Sequence, residues 1–174
     1  SRVGGKYGGG GCAMKQVGQH AAAAAKYIIS VLTAGYIALL LLIVGVSGQP
    51  FEEVSGAVSA AVDTEHLSGQ DSMALKRDFG LNSAEFSGVL YYASASAVSA
   101  EEVLLIQVAD DSQISQVTDA LEEHVEKRLE EFSGYMPEQA ALLENAGQSV
   151  RGDYIFFVVS QDADQYMKVF ADSL

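Results

Sequence analysis

The sequence predicts an α+β protein in which an N-terminal single transmembrane helix precedes a small, mainly antiparallel three-stranded sheet packed with helices. Two observations support this fold class. Residues 27–46 form an uncharged, mostly apolar run. Residues 47–174 show helical apolar periodicity interrupted by three short runs of strand-forming residues. The predicted order is helix, helix, strand, strand, helix, helix, strand, helix, which is typical of an α+β domain.

The apolar run at 27–46 has the length of a membrane-spanning helix. Its 20 residues would extend about 30 Å as a helix, which is about the thickness of the hydrocarbon core. The lipid-facing backbone is satisfied within a helix, so the run needs no partner to insert. The residues that define the predicted span are Tyr27, Ile28, Leu39, Leu40, Leu41, Leu42 and Val46.

Charge is divided sharply on either side of this run. The first 26 residues carry four bases and no acid, and the 23 acids and six bases from Glu52 onward give a charge of −17. Bases concentrate on the cytoplasmic side of a membrane segment. We therefore expect a single-pass protein of the cell membrane, with residues 1–26 as a basic, disordered cytoplasmic tail and 47–174 as an extracytoplasmic domain. A cleaved signal peptide that releases a secreted domain is the alternative, since Val46, Ser47 and Gly48 could form a small-residue cleavage site.

The first residues and the cysteine content complete the domain prediction. Residues 1–13 are glycine-rich and precede Met14, so we expect them to be a non-native extension. Cys12 is the single cysteine, and it lies before the apolar run. The downstream domain therefore contains no disulfide and must be stabilised by its own core.

Five segments of the domain have helical patterns. Pro50 begins a helix to about residue 66, and a capping residue at Asp71 or Ser72 begins a second that stops at Gly80. Asp110 begins the clearest helix, with apolar residues at spacings of three and four as far as Phe132. The remaining two helices are expected from 137 to about 147 and from 162 to 170.

Three segments are rich in strand-forming residues. They are 88–93, 102–109 and 153–160. The first two are expected to pair as a hairpin. The continuous apolar run in the second predicts burial on both faces, or on one face that a helix covers.

The landmarks from Ala100 onward resemble the uncharacterised domain-of-unknown-function family 4358. Ala100-Glu101-Glu102 precedes a strand, a long helix ends in Phe132, and Tyr135, Pro137, Glu138 and Gln139 follow before Gly152 and Tyr154. The resemblance covers about residues 50–174. It implies a small exported or membrane-anchored bacterial domain, encoded in some cases near membrane-bound O-acyltransferases, and it assigns no activity.

No arrangement of residues in the sequence predicts catalysis or cofactor binding. His66 and His124 are far apart in sequence, and His124 is expected at the boundary or surface of its helix. The acidic pairs at 110–111 and 162–164 are expected to cap helices, and Glu101-Glu102 is expected to be solvated where a strand begins. Neither metal nor cofactor is therefore predicted, and Arg151-Gly152-Asp153 is interpreted as a turn.

We interpret the chain as a membrane-anchored, non-enzymatic binding or accessory protein of the bacterial cell envelope. Its expected partners are the lipid bilayer and an envelope protein or a cationic ligand. Nucleic acid is excluded as a partner because the domain would repel phosphates. The alternative is an enzyme or enzyme subunit that acts on envelope polymers through two carboxylates brought together by the fold.

Overall fold

The computed structural model describes residues 33, 35, 36 and 49–174. The chain separates into two compact units, Ser1–Ser47 and Gly48–Leu174. In the first unit, residues 33, 35 and 36 are helical. The fold described below is that of the second unit.

The second unit begins with a helix and contains five strands. The helices are α1 (Phe51–Ala61), α2 (Ser72–Phe79), α3 (Gln113–Phe132), α4 (Pro137–Glu144) and α5 (Ala163–Asp172), with a 3₁₀ turn at Ser83–Glu85. The strands are β1 (Leu67–Gly69), β2 (Gly88–Ser94), β3 (Glu102–Gln107), β4 (Gly147–Arg151) and β5 (Tyr154–Val159). All paired strands are antiparallel, in the order β1-β2-β3-β5-β4.

The predicted fold class is wrong as stated, although its α+β character is confirmed. The sheet has five strands instead of three, because β1 and β4 were not expected as strands. In the described part of the chain, no helix is both long enough and apolar enough to cross a membrane. The residues predicted to span the membrane lie outside the described residues: Tyr27, Ile28, Leu39, Leu40, Leu41, Leu42 and Val46.

Helices cover both faces of the sheet. Side chains alternate along a strand, so Leu104 and Ile106 of β3 face α2, α3 and α4, whereas Val103 and Leu105 face α1 and α5. All six residues of β5 are buried. This double burial explains the continuous apolar runs of the two central strands, and it confirms the expectation for β3.

The helix boundaries follow from local chemistry. The side chain of Asp71 accepts a hydrogen bond from the Ala74 amide at the start of α2. Gly80 ends this helix with φ 70°, a conformation that favours glycine. Gly152, with φ 58°, makes the β4–β5 turn, which confirms the turn predicted at this position. The predicted cap of α5 at Asp162 makes no side-chain hydrogen bond.

Candidate functional site: a polar cleft over a buried histidine–glutamate pair

A polar cleft opens on the sheet face that α2 and α3 cover. Its volume is about 330 Å³. Its walls are the end of α2, the loop between β2 and β3, and one side of α3. The charged residues that line it are Arg77, Asp78, Glu101, Glu102, His124, Lys127, Arg128 and Glu131.

The base of the polar cleft is a buried pair formed by Glu102 and His124. Nε2 of His124 lies 2.8 Å from Oε1 of Glu102, and the two side chains are only 5% and 4% exposed. Nδ1 of His124 lies 3.0 Å from the backbone carbonyl of Asp78. The ring also stacks on Phe79, with 4.1 Å between the centroids. Both ring nitrogens of His124 therefore have a partner within the protein.

These contacts determine the net charge of the pair. The Asp78 carbonyl only accepts, so Nδ1 carries a proton and donates. A lone pair on Nε2 facing an ionised Glu102 would be repulsive at 2.8 Å, so a second proton lies between Nε2 and Oε1. Whichever atom holds it, the pair has no net charge.

Tyr91 of β2 links the buried pair to Asp78. Its hydroxyl donates to Oδ2 of Asp78 at 3.1 Å and, at the longer distance of 3.4 Å, to Oε2 of Glu102. Burial, with the negative charges of Glu102 and Asp78, raises the pKa of Tyr91 far above its usual value. The phenol therefore stays protonated, and its single O–H is shared between the two carboxyl groups, with the shorter contact to Asp78.

Asp78 is also held by its neighbour Arg77. Nε and Nη2 of Arg77 donate to the two carboxylate oxygens at 2.7 and 2.9 Å, a bidentate arrangement. Burial acts to raise the pKa of Asp78, but the hydrogen bonds from Arg77 and Tyr91 and the charge of Arg77 outweigh it. The pKa of Asp78 is therefore below its usual value.

Two cations on α3 border the cleft with unused donors. Lys127 is exposed and makes no hydrogen bond or ion pair with the described residues. Arg128 donates from Nη2 to the Ser99 carbonyl at 3.0 Å, while Nη1 lies 4.0 Å from Glu131. Its Nε is buried without a hydrogen-bond partner among the described residues.

The loop between β2 and β3 leaves the cleft open because its side chains are small. It reads Ser94-Ala95-Ser96-Ala97-Val98-Ser99. The Ser94, Ser96 and Ser99 hydroxyls accept hydrogen bonds from backbone amides two residues further along, which are local turns typical of serine. A further bond joins the Ala100 amide to the Gln139 side chain.

Sequence reasoning missed the central residues of this site. His124 was expected at the boundary or surface of its helix and Glu102 was expected to be solvated, and both predictions are wrong. Two periodicities could have revealed them. Side chains alternate along a strand, so Glu102 is on the same face of β3 as Leu104 and Ile106. His124 is three residues after Leu121 on the apolar stripe of α3.

The other acidic motifs remain apart from the cleft. Asp110 accepts from the Ser112 amide at 2.8 Å, and Gln113 accepts from the Asp110 amide at 3.2 Å. These bonds lie in the turn before α3, whose N-cap residue Ser112 makes no side-chain capping hydrogen bond, so the helix cap predicted at Asp110 is not observed. Among the described residues, no group of three or more His, Cys, Asp or Glu side chains is placed to hold a metal ion.

The fold and cleft together define a class: an α+β domain whose antiparallel sheet is covered on both faces and carries a charged, open cleft beside one central strand. The chain belongs to the family described as Domain of unknown function (DUF4358), whose model matches residues 60–160. This confirms the resemblance noted from the sequence. Neither the curated proteins nor the solved structures gave a match.

Proposed function

We propose that the domain formed by residues 49–174 is a non-enzymatic binding domain of the bacterial cell envelope and that the polar cleft is its ligand site. The observation that carries the proposal is an open cavity of about 330 Å³ whose base is a buried, hydrogen-bonded pair. A buried network fixes the positions of the surrounding charged groups, which is the preorganisation that ligand binding requires.

The engagement of His124 favours binding over general acid–base catalysis. A general base needs a free nitrogen within hydrogen-bond reach of the substrate. Both nitrogens of His124 are engaged, and its side chain is 5% exposed. The pair therefore supports the cleft without presenting a reactive atom to it.

The alternative of an enzyme that acts through two carboxylates is less well supported by the geometry. Such enzymes place the carboxyl groups on opposite sides of the scissile bond. Asp78 and Glu102 both contact the hydroxyl of Tyr91, so they lie beside one another. Glu101 is the remaining candidate, because its carboxylate lines the cleft and has no hydrogen bond or ion pair with the described residues. Turnover of an envelope polymer by the full chain, abolished by Glu101→Gln, would establish the enzymatic alternative instead.

The location and the protein partner also belong to this proposal. The domain lies outside the cytoplasm because bases precede the apolar run at 27–46 and acids follow it. Its partner is an envelope protein with a basic surface, since a charge of −17 attracts cations over a distance of about 10 Å at moderate salt. This charge disfavours nucleic acid.

Site-specific photo-cross-linking in intact cells tests the binding site. A photoreactive residue replaces Ala97 at the cleft, and the matched control replaces Glu53 on α1, which packs on the other sheet face; both positions are exposed. We expect a discrete cross-linked product from position 97 and none from position 53. Equal products from the two positions, or none from position 97, would contradict the proposal.

Cysteine labelling tests the location separately. Ser68 is exposed, and a Ser68→Cys variant that also carries Cys12→Ser has one thiol. A membrane-impermeant maleimide should label it in intact cells to the same extent as in lysed cells. Labelling only after lysis would show that the domain faces the cytoplasm.

A further inference from the structure

The distribution of bases over the domain is uneven. Of its six Lys and Arg residues, three line the polar cleft: Arg77, Lys127 and Arg128. Half of the bases of this acidic domain therefore border one cavity, beside four acids. Such a concentration attracts anions locally even when the protein as a whole repels them.

Three of the four acids that line the cleft already have partners. Asp78 is held by two bonds from Arg77, and Glu102 shares a proton with His124. Glu131 lies 4.0 Å from Arg128, whereas the carboxylate of Glu101 has no hydrogen bond or ion pair with the described residues. These contacts reduce the negative charge that a ligand would meet.

The donors of the cleft, in contrast, are in excess. Lys127 has three N–H donors and no partner among the described residues, and Arg128 uses one of its five in a hydrogen bond. Unused cationic donors beside a cavity are suited to oxygen atoms that carry negative charge. The loop at 94–99 and Gln70 border the same cavity and add neutral hydrogen-bonding groups.

We propose that the polar cleft binds a hydrophilic ligand through an anionic oxygen group, a carboxylate or a phosphate, held by Lys127 and Arg128. Hydroxyl or amide groups of the ligand face the loop at 94–99. This inference rests on the proposed binding function and names the ligand chemistry of the same site. It also distinguishes the cleft from the acidic surface, which suits a basic partner.

Calorimetric titration of the full chain with matched probes tests this inference. Glucuronate and glycerol 3-phosphate are the charged probes, and glucose and glycerol are their neutral counterparts. We expect one or both charged probes to bind and neither neutral probe to do so. Binding of glucuronate alone identifies a carboxylate as the ligand group, and binding of glycerol 3-phosphate alone identifies a phosphate.

Two substitutions identify where the charged probe binds. Lys127→Ala should weaken binding by about tenfold, because it removes a charge-assisted contact without disturbing any bond within the protein. Lys168→Ala removes an exposed lysine from α5 and should leave the affinity within about twofold, as expected for a remote charge. The guanidinium of Arg128 lies 4.8 Å from the centroid of the Phe132 ring. Substitution of Arg128 would therefore also disturb packing, so its effect on affinity is used only to support the result for Lys127.

The proposal is overturned if no charged probe binds, or if Lys127→Ala and Lys168→Ala have the same effect. Binding of glucose as tightly as glucuronate would also overturn it. If a Ser96→Trp substitution abolished that glucose binding, the cleft would still be a ligand site, and only its anion preference would be wrong. Failure of the proposed function itself would appear in the cross-linking at position 97.

Discussion

At the scale of single residues, the most consequential feature is a histidine and a carboxyl group buried together. Taking two such groups out of water is unfavourable, and their mutual contact offsets that cost only while both are present. Glu102 is on β3, His124 is on α3, and the Asp78 carbonyl ends α2. One hydrogen-bonded network therefore joins three elements and places the walls of the cleft.

Removal of His124 should destabilise the fold strongly. His124→Ala leaves Glu102 buried without its main partner, and we expect the free energy of unfolding to fall by about 3–5 kcal/mol. Urea denaturation of the full chain, followed by circular dichroism, measures this change. Glu130→Ala on the exposed side of α3 is the control, expected within about 0.5 kcal/mol of the parent. Similar losses in the two variants would show that the pair is not a structural anchor.

The exposed pair of His66 and Asp63 should make the stability of the fold depend on pH. The 2.6 Å hydrogen bond that Nδ1 of His66 donates to Oδ2 of Asp63, together with the charge of Asp63, raises the pKa of His66 above its usual 6.5. Protonated His66 therefore stabilises the folded state below pH 6.5, and this stabilisation is lost as the pH rises through the pKa of His66 in the folded protein. In Asp63→Asn, the pKa of His66 measured by NMR should fall back toward the usual value. An unchanged pKa would contradict this assignment.

The sequence predicted residues with local roles better than residues with roles in the tertiary fold. Asp71 and Gly80 act within one helix end, so capping chemistry was sufficient to place them. His124 and Glu102 are 22 positions apart, and each has a polar side chain on an otherwise apolar face. Neither is explained without the other, because a buried polar group is tolerated only with its partner in place.

At the scale of elements, the two missed strands are both at the edges of the sheet. β1 is Leu67-Ser68-Gly69, and β4 is Gly147–Arg151, where four of five positions are Gly, Gln, Ser or Arg. Edge strands bury less side-chain surface than central ones, so they need little apolar character and leave a weak signal. The central β3 and β5 were predicted because both of their faces are buried.

Contact between α1 and β2 can be tested with two glycines. A Cβ at Gly88 of β2 would lie 2.5 Å from the ring of Phe51, whereas a Cβ at Gly56 in α1 would meet nothing within 4 Å. We therefore expect Gly88→Ala to lower the free energy of unfolding by about 1–3 kcal/mol through overpacking. Gly56→Ala should raise it by about 0.5–1 kcal/mol because alanine favours the helix.

Urea denaturation of the two glycine variants gives both values under the same conditions. The opposite signs are the informative result, since each substitution adds one methyl group to the chain. If both variants were stabilised, Phe51 would not lie against β2 as described. If both were destabilised, residue 56 would not be in an open helical position.

At the scale of the whole molecule, a charge of −17 from Glu52 onward dominates the behaviour of the domain. Like charges repel in the compact state and separate when the chain unfolds, so they reduce stability. Salt screens this repulsion, and the Debye length falls to about 10 Å at 0.1 M. The same charge would attract the basic partner proposed above, and salt would screen that attraction as well. Stability and association should therefore respond to salt in opposite directions.

The final prediction uses these opposite responses. Between about 10 mM and 300 mM sodium chloride, we expect the full chain to unfold at a higher temperature, because screening relieves the self-repulsion. Over the same range, the amount of the proposed basic partner that the full chain captures from solubilised membranes should fall. Substitution of Glu126 and Glu130 on the exposed side of α3 by lysine should reduce the salt dependence of both the unfolding temperature and the association. Substitution of the same residues by aspartate should leave both salt dependences unchanged. Capture of the partner that is independent of salt would show that contacts other than charge hold it, while a rise in thermal stability alone would still report the repulsion within the domain.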